Sequence, residues 1–108
     1  MEINSYHAHL YYEESTYELA LSVLSKAQEL DFVEIGRAHK KEVGPHPRWS
    51  CQLLFSPDRL NEVIPWLLAN RDGLTIFIHA NTGDDYLDHT KNTLWMGEIL
   101  DLKLEIFK

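Results

Sequence analysis

The sequence predicts an α+β fold of the ferredoxin-like kind, a β-α-β-β-α-β sandwich with one extra strand at the C-terminus. Three observations lead there. Stretches with strand character fall at 3–12, 32–39, 49–56, 74–80 and 99–107. Two stretches, 15–30 and 57–70, carry apolar residues at helical spacing. Glycine and proline gather between these blocks, most of all in "KKEVGPHPR" at 40–48. In this split βαβ arrangement strands one and three are central and antiparallel, and both helices cover one face. The other face is left for water, a ligand or a partner subunit.

Each element has its own justification. "INSYHAHLYY" (3–12) alternates and is rich in tyrosine, which suits a pleated strand. In "STYELALSVLSKAQEL" (15–30), Ser15 and Glu18 have the spacing of a capping box. Tyr17, Ala20, Leu21, Leu24, Ala27 and Leu30 then form one stripe. "FVEIGRAH" (32–39) is the second strand and "WSCQLLFS" (49–56) the third. Ser56 stands at the start of the second helix and Pro57 in its first turn. Leu60, Val63, Ile64, Leu67 and Leu68 form its buried stripe. Pro65 should kink it, because a proline nitrogen cannot donate to the carbonyl one turn back. Gly73 leads into "LTIFIHA" (74–80), the fourth strand, and "ILDLKLEIF" (99–107) alternates as the last.

Composition narrows the function classes. The 108 residues suit one domain over 1–108, and a 44% hydrophobic content supplies a core. A lone cysteine, Cys51, excludes an intramolecular disulfide and is expected to be a buried core residue. The net charge of -7, with no basic cluster beyond Lys40 and Lys41, disfavours binding to nucleic-acid phosphates. No stretch is long and apolar enough for a membrane span, and "MEINSYHAHLYYEES" lacks the pattern of a secretory signal. A cytoplasmic protein is the expectation.

The six histidines matter through their positions. On a strand, side chains alternate between faces. His7, His9 and Tyr11 therefore share one face of the first strand. Ser50 and Gln52 in the third strand, and Thr75, Phe77 and His79 in the fourth, are the alternates that face away from the helices. The loop carrying His46 runs directly into the third strand. His-x-His on a strand sets two rings on one side, about 6–7 Å apart at their Cα atoms, within reach of one metal. The competing reading is a pair of solvated or tyrosine-stacked rings. His39, at a strand end beside two lysines, is read as solvated. Trp66 and Trp95 are read as packing groups.

"IHANTGDDYLDHT" (78–90) crowds two histidines and three aspartates into thirteen residues. Asn81, Thr82, Gly83 and Asp84 are good turn formers. Asp88 beside His89 suits either a cap or a carboxylate that orients an imidazole.

The pieces "YHAHLYY", "VGPHPRW", "IPWLLANRDGLTIFIHANTGDDYLDHT" and "LWMG" together resemble the DOPA 4,5-dioxygenase family, in the family's order and over nearly the whole chain. Pro65 is a family feature on this reading. Ala80 departs from it, since members often carry Pro after the equivalent histidine. The resemblance implies a ferredoxin-like fold, homodimers and a mononuclear metal site. It implies extradiol opening of a catechol such as DOPA by O2, with Fe(II) as metal and Zn(II) as an occupant in isolated samples.

In that frame His7, His9 and His79 are the metal ligands, and His46 is the acid/base or a fourth ligand. Glu34, Glu98 and Asp88 are candidates for a carboxylate ligand beside a three-histidine alternative. Arg37 or Arg48 would either pair with a substrate carboxylate or stand solvated on the surface, the second being the ordinary role of such a side chain. Gln52, Asn81, Thr82, Asp84, Asp88 and His89 would shape the rim or support the ligands. The alternative from another class is a non-catalytic dimer of ferredoxin-like fold that binds a small ligand or a metal on its open face.

Overall fold

A computed structural model describes residues 1–108. The elements are β1 (Ser5–Tyr12), α1 (Tyr17–Ala27), β2 (Glu34–Ile35), β3 (Trp49–Phe55), α2 (Leu60–Asn70), β4 (Ile76–Asn81), α3 (Asp85–Asp88) and β5 (Thr93–Met96). Short 3-10 turns precede α1 and α2, and another, Leu104–Phe107, closes the chain. The strands form one antiparallel sheet in the order β2-β3-β1-β4-β5. The ferredoxin-like core is present as predicted, with β1 and β3 adjacent and β4 on the far side of β1.

Period-two geometry divides the sheet. Ala8, Leu10 and Tyr12 of β1, Cys51, Leu53 and Phe55 of β3, and Ile76 and Ile78 of β4 join Ala20, Val23 and Leu24 of α1 and Val63 and Leu67 of α2 in one core. Burying a large aliphatic side chain of this kind contributes roughly 1.5–3 kcal/mol. Both long helices thus lie on one face. Their alternates, His7, His9, Tyr11, Ser50, Gln52, Phe77 and His79, are left for the other. The Cys51 thiol is fully buried, and burial pushes its pKa up to about 11, as expected of an inert core residue.

Several local expectations are corrected. The strand expected over 99–107 does not form, and the fifth strand is "TLWM" at 93–96. An alternating pattern makes a ladder only where a free edge is available, and β5 already occupies the outer edge of β4. The segment instead crosses toward the loop before β3, where the Lys103 N–H donates to the Pro45 carbonyl at 2.8 Å. The second strand shrinks from 32–39 to two residues. Beyond it only single bonds to β3 persist, from Gly36 N–H to the Gln52 carbonyl and from His39 N–H to the Ser50 carbonyl. The capping box uses Glu13 and Thr16, not Ser15 and Glu18. The helix continues through Pro65, which faces solvent, and Leu68 is exposed rather than part of the stripe.

Gly97 makes the turn that ends β5. It has φ +84°, and a Cβ there would lie 3.0 Å from Arg71 Nη1 and 3.2 Å from Thr75 Oγ1. Gly97→Ala should therefore lower stability by about 1–2 kcal/mol from backbone strain alone, measured by urea denaturation. The outer edge of β5, with Leu94 exposed beside it, has no partner within the chain, and we propose that a homodimer covers the bare sheet face or pairs this edge. Light scattering at micromolar concentration should give twice the mass of one chain. A single-chain mass would reject the dimer.

Candidate metal and active site

The pairing of β1 with β4 places His7 directly opposite His79, and His9 opposite Phe77. On the other side of β1, His9 faces Gln52 and Tyr11 faces Ser50. One face of the adjacent strands β1 and β4 therefore gathers imidazoles. The donor nitrogens of His7, His9 and His79 all lie within 4.8 Å of one another. His9 Nε2 and His79 Nε2 are 3.0 Å apart. The His46 ring sits 4.1 Å from that of His9, and the His89 ring 4.2 Å from that of His79. His9, His46 and His79 are buried and His7 is half-buried.

Their electrostatics follow from this crowding. Burial lowers the pKa of each ring, and neighbouring imidazoles add to the effect. His9 falls well below its ordinary value, while His46 and His79 fall to about 4. All four are neutral at pH 7, the state in which an imidazole offers a lone pair to a metal. His79 Nδ1–H donates to the Ala80 carbonyl at 3.0 Å, which leaves Nε2 as the free lone pair. Two nitrogens bonded to one ion at about 2.1 Å, in octahedral or tetrahedral positions, stand about 3.0–3.4 Å apart. The His9–His79 separation fits, so this donor set could hold a metal ion. No carboxylate oxygen joins the set.

The proposed supporting residues divide. Glu34 is exposed on the edge strand β2, beyond β3. Glu98 receives Arg48 at 2.9 Å in an ion pair outside the histidine donor set. Arg37 is exposed and makes no ion pair. Asp88 does not orient His89. Its carboxylate accepts from Thr82 N–H and Oγ1–H, both at 2.7 Å, and from Asn92 at 3.0 Å. Burial opposes its ionisation, but these bonds hold its pKa below the ordinary carboxylate value. Asp88 thus clamps the turn after β4. Asp84 caps α3 by accepting Leu87 N–H, and Asn81 donates to Ser5 Oγ. His89 Nδ1–H goes to the Asp85 carbonyl at 2.7 Å.

Four aromatic groups were missed as site residues. Trp95 of β5 stacks on Phe77 with centroids 4.5 Å apart, and Phe107 lies 4.5 Å from His89. Tyr11 Oη is 2.7 Å from His46 Nδ1. Alternation already placed Tyr11 and Phe77 on this face. Nothing in the spacing placed Trp95 or Phe107 there. A cleft of about 270 Å³ adjoins the cluster, lined by His89, Thr93, Trp95, Leu100, Leu102 and Leu104 among others.

A helix-backed antiparallel sheet with converging imidazoles on its bare face defines a class, a small α+β protein equipped to hold a metal ion on that face. The profile of the Dopa 4,5-dioxygenase family matches residues 6–106, and the chain belongs to that family. A crystal structure of a Nostoc punctiforme protein, provisionally called a dioxygenase, superposes with a TM-score of 0.92 at 38% identity, covering 95% of this chain and 90% of that one. An uncharacterized 21.2 kDa protein of Botryotinia fuckeliana is 36% identical over 75% of this chain and 49% of its own length. The DOPA 4,5-dioxygenase of Amanita muscaria is 29% identical over 95% of this chain and 49% of its own length. The chain spans about half the length of these curated relatives. No helix is long and apolar enough to cross a membrane.

The lowered imidazole pKa values imply a pH-dependent stability. Each buried ring is harder to protonate in the folded chain than in the unfolded one, whose value is near 6.5. The unfolded state therefore binds more protons between about pH 6.5 and 4. Stability should be fully present above that window and decline as pH falls through it, by up to about 3 kcal/mol for each of His46 and His79. Urea melts of chelator-treated protein at pH 7.5, 6 and 5 measure this. A flat profile would contradict it.

Proposed function

We propose that the protein is an extradiol ring-cleaving dioxygenase that opens a catechol such as DOPA with O2, with His7, His9 and His79 as ligands of a mononuclear Fe(II). The observation that carries this reading is the convergence of those three donor sets on the bare sheet face of a chain from this family. Bound there, Fe(II) supplies open positions able to hold a catecholate through two oxygens and to admit O2.

The chain's own groups have separable tasks. His7, His9 and His79 offer neutral nitrogens from two adjacent strands, so the ligand spacing is set by the sheet rather than by loops. His46, against His9, is the group that handles a proton beside the ligands. Phe77, Trp95 and Tyr11 form an apolar wall that excludes water from that side. The cleft along Thr93, Trp95 and Leu102 suits the aromatic body of the substrate.

Anaerobic Fe(II) loading followed by a catechol and O2 tests the reading. O2 uptake with a yellow ring-opened product is expected. Absence of both across a panel of catechols would leave a non-catalytic binding protein. His7→Ala and His79→Ala should each lose metal retention through gel filtration, because removing one of three ligands removes much of the binding energy. His46→Ala should retain metal and lose turnover, and His39→Ala should change neither. Metal retained by His79→Ala at the wild-type level would reject the ligand set.

A further inference from the structure

The Tyr11–His46 pair has a consequence for which way the His46 ring carries its proton. Tyr11 is 1% exposed and its hydroxyl makes a single hydrogen bond, to His46 Nδ1 at 2.7 Å. A phenol O–H must donate somewhere when buried, since a stranded buried donor is costly. No other acceptor is within reach of this one, so the O–H donates to Nδ1. Were Nδ1 to carry the hydrogen, two donors would meet, or the phenolic hydrogen would be left without a partner. The neutral His46 ring therefore keeps its hydrogen on Nε2. His46 makes no other side-chain hydrogen bond, and no fully buried side-chain nitrogen or oxygen lacks a partner, so Nε2 is unpaired and keeps some exposed surface. The loop has little freedom to present the ring otherwise. Pro45 and Pro47 flank it, His46 N–H donates to the Val43 carbonyl, and Lys103 N–H holds the Pro45 carbonyl.

We propose that Tyr11 is a positioning residue, and that its O–H locks His46 in the orientation that presents Nε2–H to an oxygen of the bound ligand. The orientation rests on the geometry alone; its catalytic use rests on the dioxygenase reading above. A fixed N–H aimed at an oxygen that gains negative charge stabilises the reaction without having to reorganise. Tyr11 does this at one remove. It holds the ring from behind, while its own ring packs 6.2 Å from that of Trp95.

The test has two arms. Nitrogen-15 NMR of histidine-labelled protein loaded with Zn(II), at pH 7.5, should show His46 with a pyridine-like Nδ1 and a pyrrole-like Nε2. Tyr11→Phe keeps the ring packing and removes only the hydroxyl, so it should shift His46 toward a mixture of the two forms. A wild-type His46 that carries its hydrogen on Nδ1 would overturn the proposal, even if the variant failed to fold. So would a Tyr11→Phe spectrum unchanged at His46. In Fe(II)-loaded protein, Tyr11→Phe should retain metal and lower kcat about tenfold to a hundredfold, with KM within about twofold. Wild-type kcat in that variant would reject the catalytic role. A wild-type protein that turns over no catechol would instead sink the functional reading, and the NMR arm would still decide the orientation.

Discussion

The register between β1 and β4 is the constraint on which the rest of this protein depends. Antiparallel pairing sets His7 against His79, and the alternation of side chains then carries His9 to the same face. A slip of one residue would turn His7 and His9 into the helix-packed core and push Ala8 and Leu10 outward. The core forbids that slip, because Ala8, Leu10, Ile76 and Ile78 are all buried against the helices. The apolar face thus determines the geometry of the polar one. Ligand spacing is inherited from strand spacing, with no loop needed to aim the ligands of β1 and β4.

Crowding neutral imidazoles has an energetic side. Groups that would charge in water below pH 6.5 are held uncharged by burial and by one another. The folded chain therefore gives up proton affinity to keep lone pairs available. Support comes from groups around the cluster. Asp88 clamps the turn after β4 through Thr82 and Asn92, and Phe77 and Trp95 back the rings on one side. The Asp88 carboxylate looks like a ligand candidate in the sequence, yet its lone pairs serve the backbone that carries His79. A buried carboxylate with three donors already satisfied is a poor candidate for any other partner.

The C-terminal segment illustrates how a local pattern can be overruled. "LDLKLEIF" alternates well enough for a strand, but β5 takes the edge that it would need. Released from the sheet, the segment reaches the loop around Pro45 and brings Phe107 against His89. It closes the histidine face in part, and so does more for the site than an added edge strand would. "TLWM", short and flanked by a polar turn and Gly97, shows little strand signal of its own. Its strand character comes from its neighbour.

Periodicity and punctuation were sufficient for the strand-helix order, for the helix-packed face and for the sharing of a face by His7, His9 and His79, because these follow from repeats of two and 3.6 residues along the chain. The wider motif pattern also carried the family resemblance. Tertiary structure alone decided the rest. It set the distances among the rings, paired Tyr11 with His46, tied Arg48 to Glu98, turned Asp88 to the backbone and made a strand of 93–96. Each of these depends on which residues distant in sequence come to lie side by side, and a hydrogen-bonding group takes whichever partner the fold delivers.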